Sequence, residues 1–209
     1  MSNSEPKWLS WSRELQAIAQ NGLAFCKNPF DIERYQAVRD LATDIIANYT
    51  SIDAEVLTGL FAHEEGYATP KIDVRGALFQ DGSILLVREL ADGGRWTLPG
   101  GFADVTDTPS EAVIREIREE SGYESKAVKL VAVYDRAKRG HPVFYFAAYK
   151  LFFLCEVTGG APAHSIETGG VGFFAEDQLP ELSLARVTPA EILTLFEHSR
   201  HPELPTEFD

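Results

Sequence analysis

Through the first third of the chain, apolar residues recur at steps of three and four. Trp8, Leu15, Ile18, Ala19 and Leu23 roughly follow helical spacing, and Ile32, Tyr35, Val38, Leu41, Ala42, Ile45 and Tyr49 follow it more strictly. Asn28-Pro29 divides the two runs. A third, shorter helix fits Asp53 to Ala62, with Val56, Leu57, Leu60 and Phe61 on one side. After "GYATPKID" the texture changes to strand-like runs: "DVRGALFQ", "SILLVREL", "AVKLVAVYD", the long "HPVFYFAAYKLFFLCEV" and "GVGFFAE". Asp81-Gly82 is a hairpin signal between the first two, and the long run has the composition of a central strand. A last helix fits Pro189 to His198, opened by Thr188 as cap, with Pro189 at the first turn and Glu191 three residues past the cap. The pattern predicts a small all-helical domain over residues 1–67, followed by an α+β domain over residues 68–209.

One helix in the second domain can be phased. Thr108 caps it, Pro109 suits its first position, Glu111 completes a capping box and Gly122 stops it, so it runs from about 109 to 121. At about 100° per residue, Glu116, Glu119 and Glu120 fall within a sector of roughly 100°, next to the sector of Val113 and Ile117. Like charges at i, i+3 and i+4 destabilise a helix by a few tenths of a kcal/mol per pair, and partial burial makes that worse. A divalent cation relieves the repulsion, and oxygen-only ligands favour Mg²⁺ or Mn²⁺ over zinc. The same carboxylates also fit a plain solvated face. Just upstream, "LPGG" places Gly100 and Gly101 where the backbone approaches a ligand closely and a loop carbonyl offers another hard oxygen.

Composition narrows the picture without fixing it. Of 209 residues, 44% are hydrophobic and 24% charged, which suits a soluble globular chain. The formal net charge of -13 disfavours a long run of phosphates, and residues 1–70 carry five Lys/Arg against ten Asp/Glu, so no DNA partner is expected. A small anion is still admissible where a metal or a local basic loop receives it. Cys26 and Cys155 lack disulfide or metal spacing and read as buried free thiols, which suits a cytoplasmic setting. The N-terminus does not read as a signal peptide, and the longest apolar run is too short to span a bilayer, so no membrane partner is expected.

Residues 101 to 123 resemble the Nudix box: Gly, five residues, Glu, seven residues, then Arg-Glu-aliphatic-any-Glu-Glu-any-Gly-aliphatic. Gly101, Arg115, Glu116, Ile117, Glu119, Glu120 and Gly122 match in register. Asp107 stands where the family has Glu, and Tyr123 where it has an aliphatic residue. The family residue at the first of these positions mainly orients the box arginine, so the shorter Asp107 puts the support of Arg115 in question. The resemblance implies a Nudix-type α/β/α sandwich with a mixed sheet, cutting a nucleoside diphosphate derivative within its diphosphate. It also implies that Glu116, Glu119 and Glu120 bind Mg²⁺, with Mn²⁺ as a substitute and the Gly100 carbonyl as a further ligand. Glu120, or Glu167 from a later loop, would serve as general base. The chain is also similar to a bacterial subgroup with a helical N-terminal segment, carrying "DVRGALF", "WTLPGGFADV" and "FFAEDQLPELS" in corresponding places. Members of that subgroup are described as ADP-ribose or CDP-choline pyrophosphatases and tend to be dimers, which implies a homodimer here. The alternatives are a pyrophosphatase sanitising nucleoside triphosphates, or a non-catalytic ligand sensor.

Substrate contacts are less sharply marked. Arg136, Lys138, Arg139 and His141 form a basic cluster, "DRAKRGH", that suits either a phosphate contact or a solvated turn. Arg75 and Arg88 lie on predicted strands, where a charge is costly unless it meets the diphosphate or an acid such as Glu89. Trp96 precedes the "LPGG" loop and fits either a stacking surface for a base or a core position.

Overall fold

The computed structural model describes residues 5–163 and 168–209, which group into two compact units: residues up to 70 with 143–147, and residues 71–142 with 148–209. The first unit holds α1 (Lys7–Phe25), α2 (Pro29–Tyr49) and α3 (Ala54–Ala62). Asn28 caps α2 by accepting from the Phe30 amide, and Asp53 caps α3 by accepting from the Glu55 amide. Leu9, Ile46, Leu57 and Phe61 form its buried centre, and Tyr145 and Phe146 pack against it. This corrects the reading of "HPVFYFAAY" as the start of a strand. The strand begins only at Ala148, because the rings of Tyr145 and Phe146 lie edge-on to Phe61 in the helical core. Trp11, Ile18, Phe25, Phe30, Leu41 and Tyr49 stay exposed on α1 and α2.

The second unit contains β1 (Lys71–Gln80), β2 (Ser83–Glu89), β3 (Arg95–Thr97), α4 (Pro109–Ser121), β4 (Tyr123–Asp135), β5 (Ala148–Gly160), β6 (Thr168–Phe174), α5 (Pro189–Arg200) and β7 (Glu207–Phe208). Asp81 and Gly82 both take positive φ and turn β1 into β2, as a two-residue hairpin requires. The sheet order is β3-β2-β1-β5-β4-β7, with β6 on the other edge of β2. β5 is central: it runs parallel to β1 and antiparallel to β4. Alternate residues feed two cores. Val74, Leu78, Leu85, Phe153 and Cys155 meet Val113 and Ile117 of α4, while Ala77, Leu86, Ala132 and Phe152 meet Ile192, Leu195 and Phe196 of α5. The mixed sheet therefore lies between two helices, the α/β/α arrangement that the resemblance implies. Helix α4 sits very close to β1: a Cβ on Gly76 would lie 2.6 Å from Ile117 Cδ1. Cys155 is buried and its thiol is pushed up to about 12 by desolvation, whereas Cys26, read as buried, is only partly covered.

Candidate active site

Helix α4 starts and stops on local chemistry. Thr108 accepts from the Glu111 amide, Glu111 returns a bond to the Thr108 amide, Pro109 occupies the first position, and Gly122 closes the helix in a left-handed conformation. The phase this sets grades the three glutamates by depth. Glu120, nearest Val113 and Ile117, is buried at 8% exposure; the Glu116 side chain is 15% exposed and that of Glu119 is 50% exposed.

Glu120 is tied to the glycine loop. Its Oε2 accepts from the Gly100 amide at 2.9 Å, and its backbone carbonyl accepts from Thr168 Oγ1 at 2.8 Å. The loop runs along β1, with the Gly101 carbonyl accepting from the Val74 amide and the Pro99 carbonyl from the Gly76 amide. At Gly101 a Cβ would come 3.1 Å from Glu116 Oε1, so the absent side chain is what lets the loop lie against the carboxylate.

Arg115 gathers the acids around the helix. Nε donates to Asp107 Oδ2 at 2.9 Å, while Nη1 reaches Glu116 Oε1 at 2.9 Å and Glu119 Oε2 at 3.3 Å. Asp107, one methylene shorter than glutamate, still meets the arginine.

Charge is not evenly compensated. Desolvation pushes Glu120 up to about 7 against the opposing pull of Arg75 and the Gly100 amide. Desolvation also raises Glu116, with Arg115 and Arg75 opposing. Both acids are therefore held at some cost in their charged form, the condition under which an added cation is favoured. Among the described residues, no group of three or more His, Cys, Asp or Glu side chains forms a ready-made metal cage. The hydrogen bonds give the reason: Glu119 faces Arg115 and Arg118, and Glu120 faces Gly100.

Arg75 lies beneath this cluster. It is buried, donates to Asp73 Oδ1 at 2.8 Å and to the Leu98 carbonyl at 3.2 Å, and feels both Glu120 and Glu116. Arg88 is exposed, donates to the Gly94 carbonyl and lies directly across from Trp96 on the neighbouring strand. Trp96 is half-buried, with its ring edge-on to Phe174 at 4.8 Å. Arg136 and His141 have internal partners instead of meeting the glutamates. Arg136 donates to the Pro142 and Ala185 carbonyls, and the fully buried His141 ring bonds the Leu184 carbonyl and Glu191. Arg139 lies over the Tyr134 ring and pairs with Asp209. Glu167 lies outside the described residues. Four charged neighbours escaped the sequence reading: Asp73, Lys150, Arg186 and Glu89 as the partner of Arg186. A lysine inside the apolar run "AAYKLFFLC" was the available signal, since a charge on a central strand needs a partner.

Residues 69–196 match the NUDIX domain family, and residues 6–61 match a family described as the UDP-X-like, N-terminal oligomerisation domain. YjhB of Bacillus subtilis (strain 168), provisionally assigned as an ADP-ribose pyrophosphatase, is 46% identical over the full length of both chains. A crystal structure of a UDP-X diphosphatase is 32% identical, covers 97% of this chain and 98% of its own, and superposes with a TM-score of 0.63. A crystal structure of an ADP-ribose pyrophosphatase from Streptococcus suis 89-1591 is 39% identical over 68% of this chain and 100% of its own, with a TM-score of 0.62. No helix among the described residues is long and apolar enough to cross a membrane.

Proposed function

The chain belongs to the Nudix hydrolase family, and from that premise we propose that it hydrolyses the diphosphate of a nucleoside diphosphate linked to a second group, of the ADP-ribose or UDP-linked kind. The observation that carries this reading is Glu120 held by the Gly100 amide and Glu116 lying against Gly101, both with carboxyls raised by desolvation, on the helix that also carries Glu119.

The donor set fits a hard divalent cation. The donors are carboxylate oxygens, and the missing Cβ at Gly101 leaves room at Glu116. Glu116, Glu119 and Glu120 would hold Mg²⁺, with Mn²⁺ as a substitute and the Gly100 carbonyl as a further ligand. When bound, the ion neutralises diphosphate charge and makes a coordinated water more acidic. The rest falls to the chain itself. Glu120, the most deeply buried of the three carboxylates, takes the proton of the attacking water. The water oxygen bonds to one phosphorus, the bridging P–O bond breaks, and its electron pair leaves on the second phosphate. The products are two phosphate monoesters. Arg115 orients Glu116 and Glu119 by donating to both from Nη1. Arg88 and Trp96, opposite one another on β2 and β3, present a cation and a ring to the linked group.

The chain also acts as a homodimer in this reading. Large apolar side chains are left exposed on α1 and α2, within the stretch that matches an oligomerisation family. A panel of nucleoside diphosphate compounds and nucleoside triphosphates, assayed with Mg²⁺ and Mn²⁺, tests the activity. Phosphate released by added phosphatase from ADP-ribose, a UDP-sugar or CDP-choline supports it; direct pyrophosphate release from triphosphates alone favours a sanitising enzyme.

A further inference from the structure

Lys150 has no exposed surface, and the reaction proposed above makes no use of it. It stands opposite Asp73 in the parallel pairing of β5 with β1. Its ammonium donates to Asp73 Oδ2 at 2.6 Å and to the Arg186 carbonyl at 2.7 Å. Burying an ammonium on a central strand costs free energy that an apolar side chain would not, so the two bonds need a purpose beyond cohesion.

Both bonds lead to the glutamates. Asp73 uses its other oxygen to take Arg75 Nε at 2.8 Å, and Arg75 Cδ lies 3.0 Å from where a Gly100 Cβ would stand. The guanidinium is thereby held behind the Gly100 loop, where it bears on Glu116 and Glu120. On the second branch, the residue whose carbonyl Lys150 holds sends its own side chain to Glu89, with Arg186 Nε 3.1 Å from Glu89 Oε2. Glu89 is buried and bears on Glu120 in turn. The two arginines, Arg75 beside Glu116 and Glu120 and Arg186 beside Glu89, come from different elements, a strand and a loop, and both run back to one ammonium. A point charge with three donors can serve two such elements at once; an apolar residue can serve neither.

We propose that Lys150 is a positioning residue for the glutamate site: through Asp73 it fixes Arg75 behind the Gly100 loop, and through the Arg186 backbone it fixes Arg186 against Glu89. The proposal rests on the reading of the glutamates as a hydrolytic centre. A lysine that merely held the sheet together would give the same bonds but a different coupling.

The test is a double-mutant cycle in turnover of whichever panel compound the unsubstituted protein hydrolyses, comparing Lys150→Met, Arg75→Gln and the two together. Lys150→Met is expected to lower kcat by about tenfold to a hundredfold, as loss of a supporting partner does, with KM held within about threefold. In the Arg75→Gln background the same substitution is expected to cost less than about threefold, because its main route is already cut. An equal loss in both backgrounds, or an unchanged kcat in Lys150→Met, overturns the proposal. Where Lys150→Met does not fold, Lys150→Met/Asp73→Asn removes the pair as a unit and takes its place in the same comparison. If the unsubstituted protein hydrolyses no compound of the panel, the functional reading fails, and a crystal structure of the variant decides the network alone. Arg75 displaced from the Leu98 carbonyl upholds it, and Arg75 unmoved overturns it.

Discussion

The Gly100 amide donates to Glu120 Oε2 at 2.9 Å, so the loop before α4 and the last turn of α4 are locked to one another. Only glycine allows this. Gly100 takes a φ of +147°, and a Cβ there would stand 2.0 Å from the Val74 carbonyl oxygen. Gly100→Ala is therefore expected to cost about 3 kcal/mol from backbone strain and displacement of β1. Urea unfolding measures the stability loss, and turnover is expected to fall with it because Glu120 loses its anchor.

Glu120 gives a pH signature with a definite sign. Its carboxyl is raised from the ordinary 4.5 to about 7 by desolvation. Between those values the folded chain holds a proton that the unfolded chain has released. Its contribution to stability is thus fully present below about 4.5 and is lost as pH rises through about 7. The full shift corresponds to on the order of 3 kcal/mol at alkaline pH. Glu120→Gln, unfolded in chelator from pH 4 to 9, is expected to be more stable than the parent at pH 8 and to show a flatter profile. Glu116 shifts in the same direction, so part of the slope stays.

Asp107 is expected to matter through Arg115. Its Oδ2 takes Arg115 Nε at 2.9 Å, which leaves Nη1 free to hold Glu116 and Glu119. Asp107→Asn keeps the size but removes the charge, and is expected to lower turnover about tenfold with little change in stability. Steady-state kinetics on the variant and on Asp107→Glu separate charge from length; full activity in the glutamate variant is the expected result.

The homodimer is checked by light scattering after size exclusion. One chain has a mass of 23.2 kDa, so twice that mass is expected. Phe25 and Phe30 are each about 70% exposed. Replacing both with Glu is expected to shift the protein toward monomer; a parent that elutes as a monomer contradicts the dimer.

Elements marked by local chemistry were legible in the sequence. The helix expected over 109 to 121 is Pro109–Ser121, because its cap, proline and glycine act within a few residues. The hairpin at Asp81-Gly82 was legible for the same reason. Composition misled at Val143 to Ala147, where aromatic residues suited a strand but joined a helical core. Strands β3 and β7 carry little pattern of their own and exist through their partners, β2 for one and β4 for the other. At the site, spacing brought out the three glutamates, and the resemblance to the Nudix box brought out Arg115. It could not show that Lys150, Asp73 and Arg75 meet, since that depends on the register of two strands far apart in sequence. Nor could it show that His141 faces Glu191 and the Leu184 carbonyl, both more than forty residues away.

The central claim is that the three glutamates drive cleavage within a diphosphate. The most direct measurement is phosphorus NMR of ADP-ribose and a UDP-sugar incubated with Mg²⁺ and the parent chain, Glu119→Gln or Glu120→Gln. The parent is expected to convert the two diphosphate signals into two phosphate monoester signals, and each variant is expected to slow this by at least about a hundredfold while keeping its fold. Undiminished conversion by both variants would contradict the assignment of the site.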